Sequence, residues 1–253
     1  SLDNGSTYWF KVFGTNANGS GDLSNVSSQK PSTTPDAPKF STSSYDNKQI
    51  SMTWGTLLNA SAGWNDIINF TVLYGNAEGN LNNSTTISGS YNTSLTITSL
   101  DNGSTYWFKV FGTNINGSGT LSNVSSQKPS IKPDAPKLTS SSYGNQQISM
   151  TWGTLLNASA GWNDIINFTV LYGNASNALT NSTTISGSYN TSLTITSLDN
   201  GSTYWFKVFG TNTNGSGTLS NVSSQKPSTT PDAPKFTSSS QGDTEISMTW
   251  GTL

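Results

Sequence analysis

Nineteen Asn-x-Ser/Thr tripeptides, none with Pro at the middle position, punctuate the 253 residues and carry the clearest chemistry that residue type and spacing advertise. They stand at Asn4, Asn18, Asn25, Asn59, Asn69, Asn82, Asn83, Asn92, Asn102, Asn116, Asn123, Asn157, Asn167, Asn174, Asn181, Asn190, Asn200, Asn214 and Asn221. Such a tripeptide is the acceptor signal for an N-linked glycan on the Asn amide. Asn-Gly-Ser is also a turn former, because Asn and Gly both tolerate positive φ. Turn formation is a sufficient reading for Asn200 in "LDNGS" and Asn214 in "NTNGSG". It is insufficient for Asn167, which sits inside an alternating apolar segment where Asn is a poor strand former. If Phe168, Val170 and Tyr172 face a core, Asn167 faces outward. Asn221 is expected to face solvent on the same logic, with Val222 pointing in. Covalent N-linked glycans are therefore the expected partner.

A second group of residues looks misplaced. Alternation that buries Tyr204, Phe206 and Val208 turns Trp205, Lys207 and Phe209 to the opposite face, with Leu171 beside them. A Trp, a Phe and a Leu on one sheet face form a patch that needs an occupant. Copies of the row give Trp9 and Phe13, and Trp107 and Phe111; Trp64 and Trp162 in "AGWNDI" add to it from loops. Three coverings compete: a neighbouring domain or chain, glycan from Asn167 laid over the rings, or a foreign carbohydrate.

Catalysis finds little support. General acid–base work needs paired carboxylates or a His in a pocket. The chain has no His and no Cys, and its 13 acidic residues recur singly at turns, as Asp101, Asp164 and Asp232 do. No nucleophile elbow, phosphate loop or EF-hand spacing is present. No catalytic residue, cofactor site or metal ligand is assigned; calcium at a junction through Asp134 and its neighbours stays a side possibility. A net charge of −2 from 11 basic and 13 acidic residues gives nothing to gather nucleic acid. No apolar run approaches the roughly 18 residues of a membrane-spanning helix. With only 9% charged residues, and Ser plus Thr near about a third, the surface must be wetted by hydroxyls, amides or what is attached to them.

The elements that must hold these groups repeat every 98 residues. Tyr8, Tyr106 and Tyr204 keep that spacing, as do Trp54, Trp152 and Trp250. Asp36–Pro133 and Asp134–Pro231 differ at 12 positions. A period this long means domain-sized repeats rather than solenoid units. Proline-flanked "PDAPK" after "SSQKPS" marks sensible boundaries. The expected division is 1–34 as the C-terminal part of a repeat, 35–132 and 133–230 as complete repeats, and 231–253 as the N-terminal part of another. The chain reads as a window on a longer array.

Inside a repeat the hydrophobic period is 2, in "ISMTW", "FTVLY", "SLTIT" and "YWFKV", with Gly/Asn/Ser clusters between. That argues for an all-β antiparallel sandwich of about 100 residues. Trp152 is expected in its core. The order of residues resembles the fibronectin type III domain. Pro133-Asp-Ala-Pro136 and Leu138 open it, Trp152 ends a strand, and Phe168, Val170 and Tyr172 follow. Leu198, Tyr204, Phe206, Val208, Gly210, Asn212, Gly215, Gly217 and Ser220 then fall at the family's spacing. The resemblance implies tandem immunoglobulin-like sandwiches without disulfides, and no single function. Arg-Gly-Asp, the family's best-known adhesive tripeptide, is absent, and the chain has no Arg.

The expected protein is a non-catalytic, heavily N-glycosylated extracellular or cell-surface filament or stalk, whose partners are copies of itself. The alternative is an adhesin shaft, or a carbohydrate-binding or spacer module of a larger cell-surface protein.

Overall fold

The computed structural model describes residues 1–252. Its strands lie where β-branched and aromatic residues alternate with Ser and Thr, and ten of the described glycines, in or beside the turns, supply positive φ. Residues 40–127 form one sandwich. Its smaller sheet has the order Phe40–Asp46, Gln49–Trp54, Ser94–Ile97. Its larger sheet runs Gly117–Ser118, Tyr106–Asn114, Asn69–Gly75, Asn83–Ser88, with Ser125–Gln127 also paired to Tyr106–Asn114. All pairings are antiparallel. Residues 138–225 repeat the arrangement: Leu138–Gly144, Gln147–Trp152 and Ser192–Ile195 form the smaller sheet. Asn181–Ser186, Asn167–Gly173, Tyr204–Asn212 and Gly215–Ser216 form the larger, with Ser223–Gln225 added.

The core between the sheets follows from period 2. Ile148, Met150 and Trp152 meet Phe168, Val170, Phe206 and Val208, all buried. Ile50, Met52, Trp54, Phe70, Val72, Phe108 and Val110 do the same in the first sandwich. The Trp152 and Phe168 rings lie 5.5 Å apart at 57°, a tilted contact of the kind that aromatic quadrupoles favour. Each such side chain contributes about 1.5–3 kcal/mol by leaving water, which must substitute for disulfides in a chain without Cys.

Polar ties close the rest. The Tyr106 hydroxyl accepts the Asp101 N–H at 3.0 Å and the Tyr204 hydroxyl that of Asp199 at 3.1 Å, fixing the loop before each long strand. Gln127 Nε2 donates to Ser43 Oγ at 2.9 Å, and Gln225 Nε2 to Ser141 Oγ at 3.0 Å, joining the two sheets at one edge. Asn212 is buried; its Nδ2 donates to the Ala160 carbonyl at 2.9 Å, and its Oδ1 accepts the Asn214 N–H at 2.8 Å.

One detail departs from expectation. Val222 is exposed, as is its copy Val124, so neither points inward. Ser220 occupies the inward position: its Oγ accepts the Val208 N–H at 3.0 Å and donates to the Asn221 carbonyl at 2.9 Å. A backbone N–H beside the core needs an acceptor more than the core needs another methyl group.

By compactness the chain forms two units, Ser1–Ile131 with Gly161–Asn163, and Lys132–Ala160 with Asp164–Leu253. Within the first, residues 1–30 contribute the paired strands Tyr8–Phe10 and Ser27–Gln29 and the small hairpin Thr15–Ser20. Within the second, Phe236–Gln241 pairs with Ile246–Trp250.

Candidate functional site

The larger sheet of each sandwich carries the candidate site on its outer face. Trp205, Lys207, Phe209 and Thr211 line that face on the central strand. Their cross-strand partners are Gly173, Leu171, Thr169 and Asn167 in that order. Asn167 is therefore opposite Thr211 and diagonal to Phe209, within reach of a substituent on its amide. On the next strand Ser186, Thr184 and Ser182 continue the same rows. The acceptor tripeptide spans two outward positions, Asn167 and Thr169, with buried Phe168 between them. The first sandwich repeats this register, with Asn69 opposite Thr113, Thr71 opposite Phe111, Leu73 opposite Lys109 and Gly75 opposite Trp107.

These outward side chains are half-buried rather than free. Trp107, Lys109, Phe111, Trp205, Lys207 and Phe209 all fall between the exposed and the buried. The neighbouring strand accounts for this: Trp205, Lys207 and Phe209 stand opposite Gly173, Leu171 and Thr169, and Trp107, Lys109 and Phe111 opposite Gly75, Leu73 and Thr71. In residues 1–30 the corresponding Trp9 and Phe13 are exposed, at 68% and 52%.

None of the nineteen acceptor Asn residues is buried, and they differ in what their amides already do. Asn102 Nδ2 donates to Asn47 Oδ1 at 2.9 Å while its Oδ1 accepts the Lys48 N–H at 2.8 Å. Asn200 latches Asn145 and Gln146 in the same way. Asn116 donates to Ser32 Oγ and the Thr33 carbonyl, and Asn92 and Asn190 donate to the carbonyls of Ser88 and Ser186. Asn59 and Asn157 sit exposed at φ 50°, in the left-handed region that Asn tolerates. Asn4, Asn18, Asn25, Asn82, Asn83, Asn123, Asn174, Asn181 and Asn221 are exposed. Asn69 and Asn167 occupy strand positions, where no turn explains the choice of Asn.

Trp64 and Trp162 stand apart from the row. Their rings pack on Gly5 and Gly103, in the "LDNG" turns. Sequence reasoning also missed the role of Asn114 and Asn212, which hold loop carbonyls from within the sandwich; the signal was an Asn at an inward position of an alternating strand. Among the described residues no group of three or more Asp or Glu side chains comes together. A cavity of about 360 Å³ in the first unit is lined by Trp64, Tyr91, Asp66 and Asn65, among others. No helix among the described residues is long and apolar enough to cross a membrane.

Comparison with known proteins places this architecture. A Kelch domain-containing protein of Saccharolobus solfataricus is 28% identical over 118 residues, which is 47% of this chain and 15% of that protein. The chain thus matches only a small part of that relative's length. The FN1–FN3 domains of chicken CNTN1, a crystal structure, share 16% identity at a TM-score of 0.47, covering 89% of this chain and 77% of that one. The fibronectin type III domain model matches residues 34–128 and again 133–226, together about three quarters of the chain. With two matched sandwiches in tandem, the chain belongs to the fibronectin type III domain family.

Proposed function

We propose that the chain is part of an N-glycosylated extracellular filament or stalk, in which near-identical sandwiches serve a structural role. Tandem fibronectin type III domains are structural or adhesion-type modules of larger proteins. The single observation that carries the finer reading is the register of Asn167 and Asn69. Each stands on the outer face of a strand, diagonal to Phe209 or Phe111. A glycan there would cover the aromatic row and hydrate a surface with few charges. Near-identity between repeats gives every unit the same lateral face, as a regular assembly of copies requires.

Glycopeptide mass mapping of native material tests the reading. Hexose-sized additions on the peptides containing Asn69 and Asn167 support it. Bare Asn at both, in material taken from its source, removes the glycan coat and leaves protein to cover the aromatic face.

A binding role is favoured by one observation. Asn65 Nδ2 is buried without a hydrogen-bond partner in a chain region that also lines the cavity with Trp64 and Tyr91. An aromatic platform beside amide and carboxylate groups suits a sugar. Titration of the unglycosylated chain with soluble oligosaccharides decides this: heat of binding that Trp64→Ala abolishes supports it, and no heat dismisses it.

A further inference from the structure

The loop Ala62–Asn65 holds its backbone in a conformation that bulky residues avoid. Gly63 at φ 70° is followed by Trp64 at φ 63°, and the copy has Gly161 at 73° and Trp162 at 64°. Two successive left-handed residues, the second a Trp, persist only where the surroundings over-determine them, and such strain collects at functional positions. The holding bonds are visible. The Gly63 carbonyl accepts the Thr33 N–H at 3.0 Å, the Gly161 carbonyl that of Ile131 at 2.9 Å, and Trp64 N–H donates to the Asn59 carbonyl at 2.8 Å.

The strain aims each indole at the same target. Gly5 and Gly103 lie in the "LDNG" turn at φ +85°, each donating its N–H to a proline carbonyl, Pro31 or Pro129, at 2.9 Å. A Cβ on Gly5 would stand 2.4 Å from the Trp64 ring, and one on Gly103 would stand 2.3 Å from that of Trp162. Both contacts fall within the first compact unit, to which Gly161–Asn163 belong. Beside Trp162, Asn163 Nδ2 donates to Ser130 Oγ at 2.6 Å, and Ser130 is fully buried. Only glycine meets both demands of the turn, a positive φ and no Cβ under the ring.

A third copy of the turn has the same frame and an open face. Gly201 has φ +84° and donates to the Pro227 carbonyl at 2.8 Å, with Asn200 latched to Asn145 and Gln146 as described. No described atom lies within 4 Å of a Cβ built there. Tyr143 is 59% exposed, whereas its counterpart Tyr45 packs against a core, and Ser228 is exposed where Ser130 is buried. Beside them a cavity of about 560 Å³ is lined by Tyr143, Gly144, Asn145 and Ser228–Thr230.

We infer that the turn Asp199–Ser202 is a socket for the Ala-Gly-Trp-Asn loop of another copy of this repeat. The occupant is identified by the chain itself, which seats that loop on that turn twice. The strained Trp is the pin, Gly201 is the floor, and Ser228 is the acceptor for the amide of the Asn that follows the Trp, as Ser130 is for Asn163; in the first seating Asn65 Nδ2 makes no such bond.

The test uses 5-fluorotryptophan and 19F NMR on the unglycosylated chain extended after Leu253 by a copy of residues 156–230. Lines are assigned by Trp→Phe substitutions made one at a time. The added copy of Trp162 should resonate beside Trp162 itself, and Gly201→Val should move it to the solvent-exposed position while leaving Trp162 unmoved. A line at the exposed position with Gly201 intact, or one indifferent to Gly201→Val, overturns the inference. The Trp152 line reports whether the second sandwich is folded. Should it be lost, Gly103→Val in the unextended chain decides: an unmoved Trp162 line shows that the Trp is no pin.

Discussion

Asn167 and Phe209 share one outer face, Asn167 registered on Thr211 and Phe209 on Thr169, so the acceptor amide and the ring are diagonal neighbours on adjacent strands. The first sandwich keeps the relationship between Asn69 and Phe111. The two ends of the acceptor tripeptide therefore frame the ring that its glycan would cover.

Thr169→Ala and Asn167→Gln should each erase the glycan mass from the peptide carrying position 167, while the peptide carrying Asn69 keeps its own. The threonine variant also loses the 2.9 Å contact with the Thr184 hydroxyl, at a cost of about 0.5–1 kcal/mol. Glycopeptide mass spectrometry and urea unfolding read the two effects separately. A retained mass in either variant places the sugar elsewhere.

Trp205→Ser should change unfolding free energy by no more than about 1 kcal/mol, because cross-strand packing on an outer face is worth that much at most. Together with Trp9→Ser and Trp107→Ser it should abolish lateral association, measured by sedimentation. Phe206→Ala, one residue along, should cost about 3–5 kcal/mol, since that ring is 1% exposed. Equal losses for the two would put the strand in the wrong register.

Tyr204→Phe should cost about 0.5–1.5 kcal/mol in chemical denaturation, the net worth of the bond from the Asp199 N–H, because Asp199 is exposed and water can replace the lost acceptor. The ring remains to fill its place, so the slope of the transition should not change.

Gly210→Ala should cost about 1–3 kcal/mol by overpacking. A Cβ there would stand 3.2–3.4 Å from Leu155 Cδ1, Phe168 Cε1 and Ile165 Cδ1. Gly153→Ala is the comparison, with a Lys137 carbonyl at 3.9 Å as its nearest contact, and should be milder. Calorimetric melting temperatures settle the order.

The sandwich was legible because alternation is a local property. Trp152, Phe168, Phe206 and Val208 declare their face by their neighbours two residues away. Asn212 sits inward in that same alternation, and its reason lies 52 residues off, at the Ala160 carbonyl, where sequence periodicity has no reach. Val222 misled because it lies just before the strand Ser223–Gln225, outside any paired alternation, and the inward contact there is made by Ser220, whose Oγ accepts the Val208 N–H. Trp162 was hardest to place. Nothing near it in the chain indicates that its ring covers Gly103, and its positive φ is a property of the folded loop.

Ser and Thr on neighbouring strands bond one another through their hydroxyls. Ser149 and Thr194 hydroxyls meet at 2.7 Å, Ser51 and Thr96 at 2.8 Å, and Thr71 and Thr86 at 2.9 Å. Acid neutralises carboxylates and brine screens ion pairs, but a hydroxyl ladder responds to neither. An exterior stitched in this way keeps its wetting and its grip through swings of acidity and salinity that would undo a coat made of ions.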